Sequence, residues 1–245
     1  AQLTADMMDE GAGKRGAIEL STAVADLGAS LSVSSNLDGT FASVSSLKQH
    51  FGEAFAILSD VVARPHLEAG DFKRVAGLWK NALKKRSYHP SSVANLGAWS
   101  ALYGRETPYG HPALGLLSKA DAITLADVKK FYRAEWRPDR ATLVIVGQIT
   151  KAEVEDLLKK NLGDWKGQGE ASAQVTPTPP VAADKRPRLV LVDRPGAVQS
   201  VIVVARDGSS AGASDRPPLD LLNTALGGSF TSRLNENLRE DKGWT

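Results

Sequence analysis

Apolar side chains recur at helical spacing near the start of the chain. Ala17, Leu20, Val24 and Leu27 lie three or four residues apart and stop at Gly28, which predicts an amphipathic helix over 16–28. The period then changes. Leu31, Val33, Leu37, Phe41 and Val44 are separated by Ser, Asn and the turn pair Asp38-Gly39, the pattern of a hairpin or bent strand over 31–44. Phe51, Ala54, Phe55, Leu58, Val61 and Val62 return to helical steps, and Pro65 stops them. Two more helices are predicted over 70–86 and 91–103, the second starting after His89-Pro90.

Further along, end signals carry more of the reading. Thr124-Leu-Ala-Asp127 pairs a capping hydroxyl with an acid in the first turn, and the helix it opens runs through Val128, Phe131 and Tyr132 to Arg137-Pro138. Thr150-Lys-Ala-Glu153 repeats the signature and predicts a helix ending near Leu162-Gly163. Between them, Ala141 to Val146 is an unbroken apolar run rich in β-branched residues, which predicts a strand buried on both faces. Two more strands are predicted at Arg188–Val192 and Ser200–Ala205. Ser214-Asp-Arg-Pro-Pro218 places prolines in the first turn of a helix carried by Leu219, Leu222 and Leu226 and ended by Gly227-Gly228. A short amphipathic helix follows over 231–240. From Gly167 to Asp184 the composition turns to Gly, Ala, Ser, Thr and Pro, as in a semi-extended linker.

At 245 residues the chain has room for one large or two ordinary domains. Its net charge of +2 arises from acids and bases interspersed along the chain, which gives no footprint for nucleic acid or an anionic membrane. No apolar run is long enough to predict a membrane span, and no charged and apolar leader opens the chain. Cysteine is absent, which removes thiol chemistry and disulfides and suits an oxidising compartment without requiring one.

Candidate chemistry is sparse. The four histidines, His50, His66, His89 and His111, lie apart from one another and read as polar loop or helix-end residues. Asp6, Asp9 and Glu10 form an acidic group that reads as a solvated helix end rather than a cation site. No Gly-x-Ser-x-Gly elbow and no phosphate-binding glycine loop ending in Lys-Ser or Lys-Thr appears.

Several segments in order carry a stronger signal. Gln2-Leu-Thr-Ala-Asp6, followed by Met7-Met8 and Gly11, is similar to a helix bearing the inverted zinc motif His-x-x-Glu-His, except that Gln2, Ala5 and Asp6 fill the slots of the two imidazoles and the glutamate. Ala17-Ile-Glu-Leu20, Leu27-Gly-Ala29, the helix ending at Arg64-Pro65, the loop Pro108-Tyr-Gly-His-Pro112 and the strand Thr142-Leu-Val-Ile-Val-Gly147 follow. Gly227-Gly-Ser-Phe-Thr-Ser-Arg-Leu234 then leads to Leu238-Arg239-Glu-Asp-Lys-Gly243. Together these segments resemble the pitrilysin-like (M16) peptidase family over nearly the whole chain.

The resemblance implies an α+β fold of two M16-type, LuxS/metallopeptidase-like α/β-sandwich domains. It implies an N-terminal domain over 1–166 without zinc ligands, a Pro/Ala/Thr-rich linker over 167–187 and a partial second domain over 188–245, so that the chain is expected to be a fragment. The family's third ligand, a glutamate, would fall in Phe72–Leu83, a stretch with no acid. No catalytic or metal-binding residue is therefore expected here. In the family an arginine at the position of Arg239 holds the substrate backbone together with a tyrosine seven residues later, which would fall beyond Thr245. Arg233 is a weaker candidate for the same surface. Read without the family, Arg239 is a solvated arginine paired with Glu236 or Glu240.

The resemblance also implies a division of labour in which a zinc-bearing M16 subunit or fused half supplies the metal and this chain helps to hold the peptide substrate. The strand over 37–44 would be an edge for an extended peptide. Two alternatives stay open, a structural assembly subunit without peptide binding and an active zinc metallopeptidase with ligands outside this sequence. The expected location is the bacterial periplasm or cell envelope, with the cytoplasm as alternative.

Overall fold

In a computed structural model, residues 1–172, 188–206, 208–210 and 212–244 are described. The chain divides into two compact units, Ala1–Val203 and Val204–Thr245.

The first unit is built around a short central helix, α1 (Gln2–Met8). Its Leu3, Thr4, Ala5, Met7 and Met8 are all buried, and only Gln2 and Asp6 keep partial exposure. It packs on strand β3 (Ser30–Ser35) and on helices α4 (Ala69–Tyr88) and α6 (Leu125–Glu135). A tight hairpin of β1 (Gly11–Ala12) and β2 (Arg15–Gly16) follows α1 and leads into α2 (Ala17–Asp26). The chain then forms the antiparallel pair β3 and β4 (Thr40–Ser45), in register from Ser30 opposite Ser45 to Ser35 opposite Thr40. Asn36 Oδ1 closes the connecting turn by accepting from the N–H groups of Asp38 (2.8 Å) and Gly39 (2.9 Å).

Helix α3 (Phe51–Ala63) buries Ala54, Phe55, Ile57, Leu58 and Val61 and ends before Pro65, as its pattern predicts. Helices α4 and α5 (Pro90–Tyr103) cover the two predicted spans. The buried face of α4 is Val75, Ala76, Trp79 and Leu83, and Trp79 Nε1 donates to the Leu114 carbonyl (2.8 Å), tying the following loop to the helix. Both predicted capping boxes form. Thr124 Oγ1 accepts from Asp127 N (3.3 Å) at the start of α6, and Thr150 Oγ1 accepts from Glu153 N (3.3 Å) at the start of α7 (Lys151–Leu162).

Three predicted strands do not form. Residues 141–146, 188–192 and 200–205 have no regular structure, and their apolar side chains face outward: Val146 is 93% exposed, Leu189 93% and Ile202 85%. An isolated extended segment has no ladder to join, and the described strands are confined to the two short antiparallel pairs. The fold is thus mostly helical where a fuller sandwich was expected. Phe41 is a smaller correction. It is 52% exposed because it pairs with Ser34 on the outer face, while Ala42 and Val44 pair with Val33 and Leu31 on the inner one. Of the linker expected over 167–187, residues 173–187 lie outside the described residues, and its first part is held to α6's end by Arg137 Nη1 donating to the Gly169 carbonyl (2.8 Å).

The second unit contains α8 (Arg216–Asn223), opened by its prolines and continued by a wider π turn through Gly228. A single turn, α9 (Arg233–Asn235), runs on into a second π segment over Glu236–Asp241. The helix predicted over 231–240 is therefore present but wound more loosely.

Candidate functional site

Helix α1 carries the residues that stand in the zinc-ligand slots. The Gln2 side-chain amide donates to Asp6 Oδ1 at 2.6 Å, and its carbonyl oxygen accepts from the Ser35 N–H at 3.2 Å. One helical turn separates Gln2 from Asp6, so the spacing that would present two imidazoles to a metal here closes a side-chain bond and ties α1 to β3. Ala5 lies fully buried beside them. A carboxamide, a methyl group and a carboxylate already bonded to the carboxamide do not fit a zinc ion. The α4 face that would bring the third ligand is apolar. Among the described residues, no group of three His, Cys, Asp or Glu is placed to hold a metal.

Burial pushes the carboxyls of Asp6 and Asp9 above the ordinary range, with the neighbouring acid Glu10 adding to the rise. Glu10 itself is paired with Arg74. Two of the three acids, Asp6 with Gln2 and Glu10 with Arg74, are thus partnered within the fold.

The histidines remain separate. The ring of His66 donates from Nε2 to the Gly13 carbonyl (2.9 Å), while its backbone N–H donates to Gly11 (2.9 Å), so it straps the β1–β2 hairpin to the end of α3. His50 touches Gln49, and His89 precedes α5.

Arg239 lies in the second π segment, with its guanidinium 4.8 Å from the Phe230 ring centroid and its Nε 3.9 Å from Glu240 Oε1. Its side chain is 49% exposed. The ring supports the cation from one face, and the rigid fork keeps donors facing solvent. Arg233 is exposed at the start of α9.

One cluster is hard to see in the linear sequence. Gly13, Lys14, Arg15, Asp60 and Arg64 line a cleft of about 500 Å³. Its one local signal is the i,i+4 pair Asp60 and Arg64, joined at 2.8 Å. The other half comes from a hairpin 45 residues away, through Arg15 Nη1 at 3.4 Å from Asp60 Oδ2.

A peptidase M16 inactive domain from Pseudomonas fluorescens superposes with a TM-score of 0.77 over 99% of this chain and 58% of that chain, at 22% identity. A protease from Helicobacter pylori gives 0.78 over 99% and 58%, at 18% identity. The fold is therefore that of the M16-type proteins. A family model described as insulinase (peptidase family M16) matches residues 1–101, and one described as peptidase M16 inactive domain matches residues 122–245. The chain belongs to the M16 peptidase family. An uncharacterized zinc protease of Mycobacterium leprae is 25% identical over 194 residues, which is 78% of this chain and 42% of that protein. The chain spans about half the length of the curated relatives it matches.

Proposed function

We propose that this chain is the non-catalytic member of an M16 pair, completing a peptide-holding chamber whose zinc is carried by a separate subunit or a fused half. The observation that carries this reading is the Gln2–Asp6 bond at 2.6 Å, which occupies the face of α1 where metal ligands would converge. Arg239 is the proposed peptide-binding residue. Its side chain is half exposed and braced by Phe230, a state in which a guanidinium donates to peptide carbonyl oxygens with little further ordering. The exposed apolar segments at 141–146, 188–192 and 200–204 support a covering partner, since patches of this kind on soluble chains mark association surfaces. In the proposal these segments belong to two M16-type sandwich domains, over 1–166 and 188–245. The edge of the β3–β4 pair is offered as an accessory site for an extended peptide. The bacterial envelope is the proposed location, on the resemblance alone.

The test is peptide hydrolysis and zinc content, measured for the protein alone and mixed with a zinc-bearing M16 protein from the same source. The expected outcome is a metal-free, inert protein that raises the partner's activity, with Arg239→Ala reducing that gain about tenfold or more. Stoichiometric zinc and peptide cleavage by this chain alone would overturn the reading. A stable complex with no change in activity, and none on Arg239→Ala, would instead point to an assembly subunit.

A further inference from the structure

We infer that the cleft between the β1–β2 hairpin and the end of α3 is a binding site for a doubly charged oxyanion of the phosphate class. The cleft measures about 500 Å³ and is lined by Lys14, Arg15 and Arg64, with Asp60 and Gly13. One carboxylate against three cations leaves a surplus of two positive charges in the cleft, which matches a phosphate dianion better than a single carboxylate.

Asp60 acts as a template for the arginines rather than as their neutraliser. It binds Arg64 at 2.8 Å and Arg15 at 3.4 Å. Arg64 also donates to the Asn161 carbonyl at 3.2 Å, which fixes it against the last turn of α7. Each guanidinium has five N–H donors in a planar fork, so these bonds leave donors over on both. A pre-oriented fork loses less freedom on binding an oxyanion than a free side chain does, and it can engage two oxygens at once.

The hairpin is built to keep this geometry. Gly13 has φ +59°, and a Cβ there would lie 2.5 Å from the Asp60 side chain, so only glycine allows the turn to approach the carboxylate this closely. The Gly13 N–H donates to the Arg64 carbonyl (3.0 Å), and its own carbonyl accepts from His66. Both backbone polar groups of Gly13 are thus satisfied within the fold, and Lys14 at the tip of the loop is left exposed at the rim of the cleft.

The probe is inorganic phosphate, titrated into the full 245-residue chain at low ionic strength and followed by calorimetry and phosphorus NMR. Saturable binding at one site is expected. Lys14→Ala is expected to weaken it about fivefold with no change in melting temperature, and added salt to weaken it further. Arg15→Ala is expected to weaken it about tenfold, with Arg15→Lys restoring part of the loss because charge returns without the fork. Glycerol phosphate, titrated in parallel, separates two sources of the same chemistry. Equal affinity assigns the site to free phosphate, and tighter binding assigns it to a phosphomonoester. Absence of saturable binding overturns the inference. So does unchanged binding in Lys14→Ala, or an equal loss in Lys130→Ala on α6, which would reduce the effect to net charge.

Discussion

Asp6 holds two roles that pull in opposite directions. Its carboxylate accepts from Gln2 and so joins the turns of α1, yet burial penalises its charge and pushes its pKa above the ordinary 3.8. A carboxyl whose folded pKa is raised contributes stability below the unfolded pKa and loses it as pH rises through the folded one. The acid is therefore a liability at neutral pH, sharpened by the repulsion it shares with Asp9 and Glu10. Asp6→Asn keeps an acceptor for the Gln2 amide and removes the charge. Thermal melts are expected to show the variant more stable than the parent at about pH 7, with the two curves converging near about pH 3. A parent that is the more stable at neutral pH would mean that the carboxylate's favourable partners, the Gln2 amide and the amino group of Ala1, outweigh the cost of its burial. At this scale the sequence was informative about identity and poor about pairing. That Gln2, Ala5 and Asp6 lack imidazoles is plain from the letters, but the reach of Gln2 to Ser35, 33 residues away, depends on how β3 lies against α1.

Helix ends show where local sequence suffices and where it stops. Thr124 with Asp127 and Thr150 with Glu153 close boxes within four residues of chain, so they were readable as starts of α6 and α7. The end of α3 is different. Pro65 marks where the helix stops, but the free carbonyls of its last turn find partners from other elements: Tyr132 Oη on α6 donates to the Val62 carbonyl at 2.8 Å. Burial pushes the Tyr132 phenol up to about 12, so it stays a neutral donor throughout the ordinary pH range. Tyr132→Phe is expected to destabilise the first unit by about 1–2 kcal/mol in urea unfolding, because it strands a carbonyl beside a buried ring. The loss is expected to be the same at about pH 5 and pH 9, since the phenol does not titrate between them. Strands were harder than helices for the same physical reason. Hydrogen bonds of a helix are made within it, while those of a strand belong to a neighbour. The apolar run over 141–146 has strand-forming side chains but no paired neighbour among the described residues.

For the molecule as a whole, the outward-facing apolar segments decide what the isolated chain is ready to do. Val146, Leu189, Leu191 and Ile202 are each at least 85% exposed, and they come from three stretches that all carry strand-forming sequence. Single exposed apolar residues are ordinary on any surface, but three whole stretches are not. If an M16 partner covers them, a charge placed there would leave the free chain as it is and would be buried only in the complex, where an unpaired carboxylate costs several kcal/mol. Val146→Asp and Ile202→Asp are therefore expected to melt within about 1 °C of the parent when alone. The same variants are expected to lose co-elution with a zinc-bearing M16 protein in size-exclusion chromatography, and with it any rise in peptide hydrolysis. Arg239→Ala is the contrasting case, since it should leave the complex intact while lowering the activity. Separation of the two effects would assign assembly to the apolar segments and peptide holding to Arg239. Co-elution unchanged in both aspartate variants would show that the partner, if any, docks elsewhere and that these side chains meet solvent in the working protein as well.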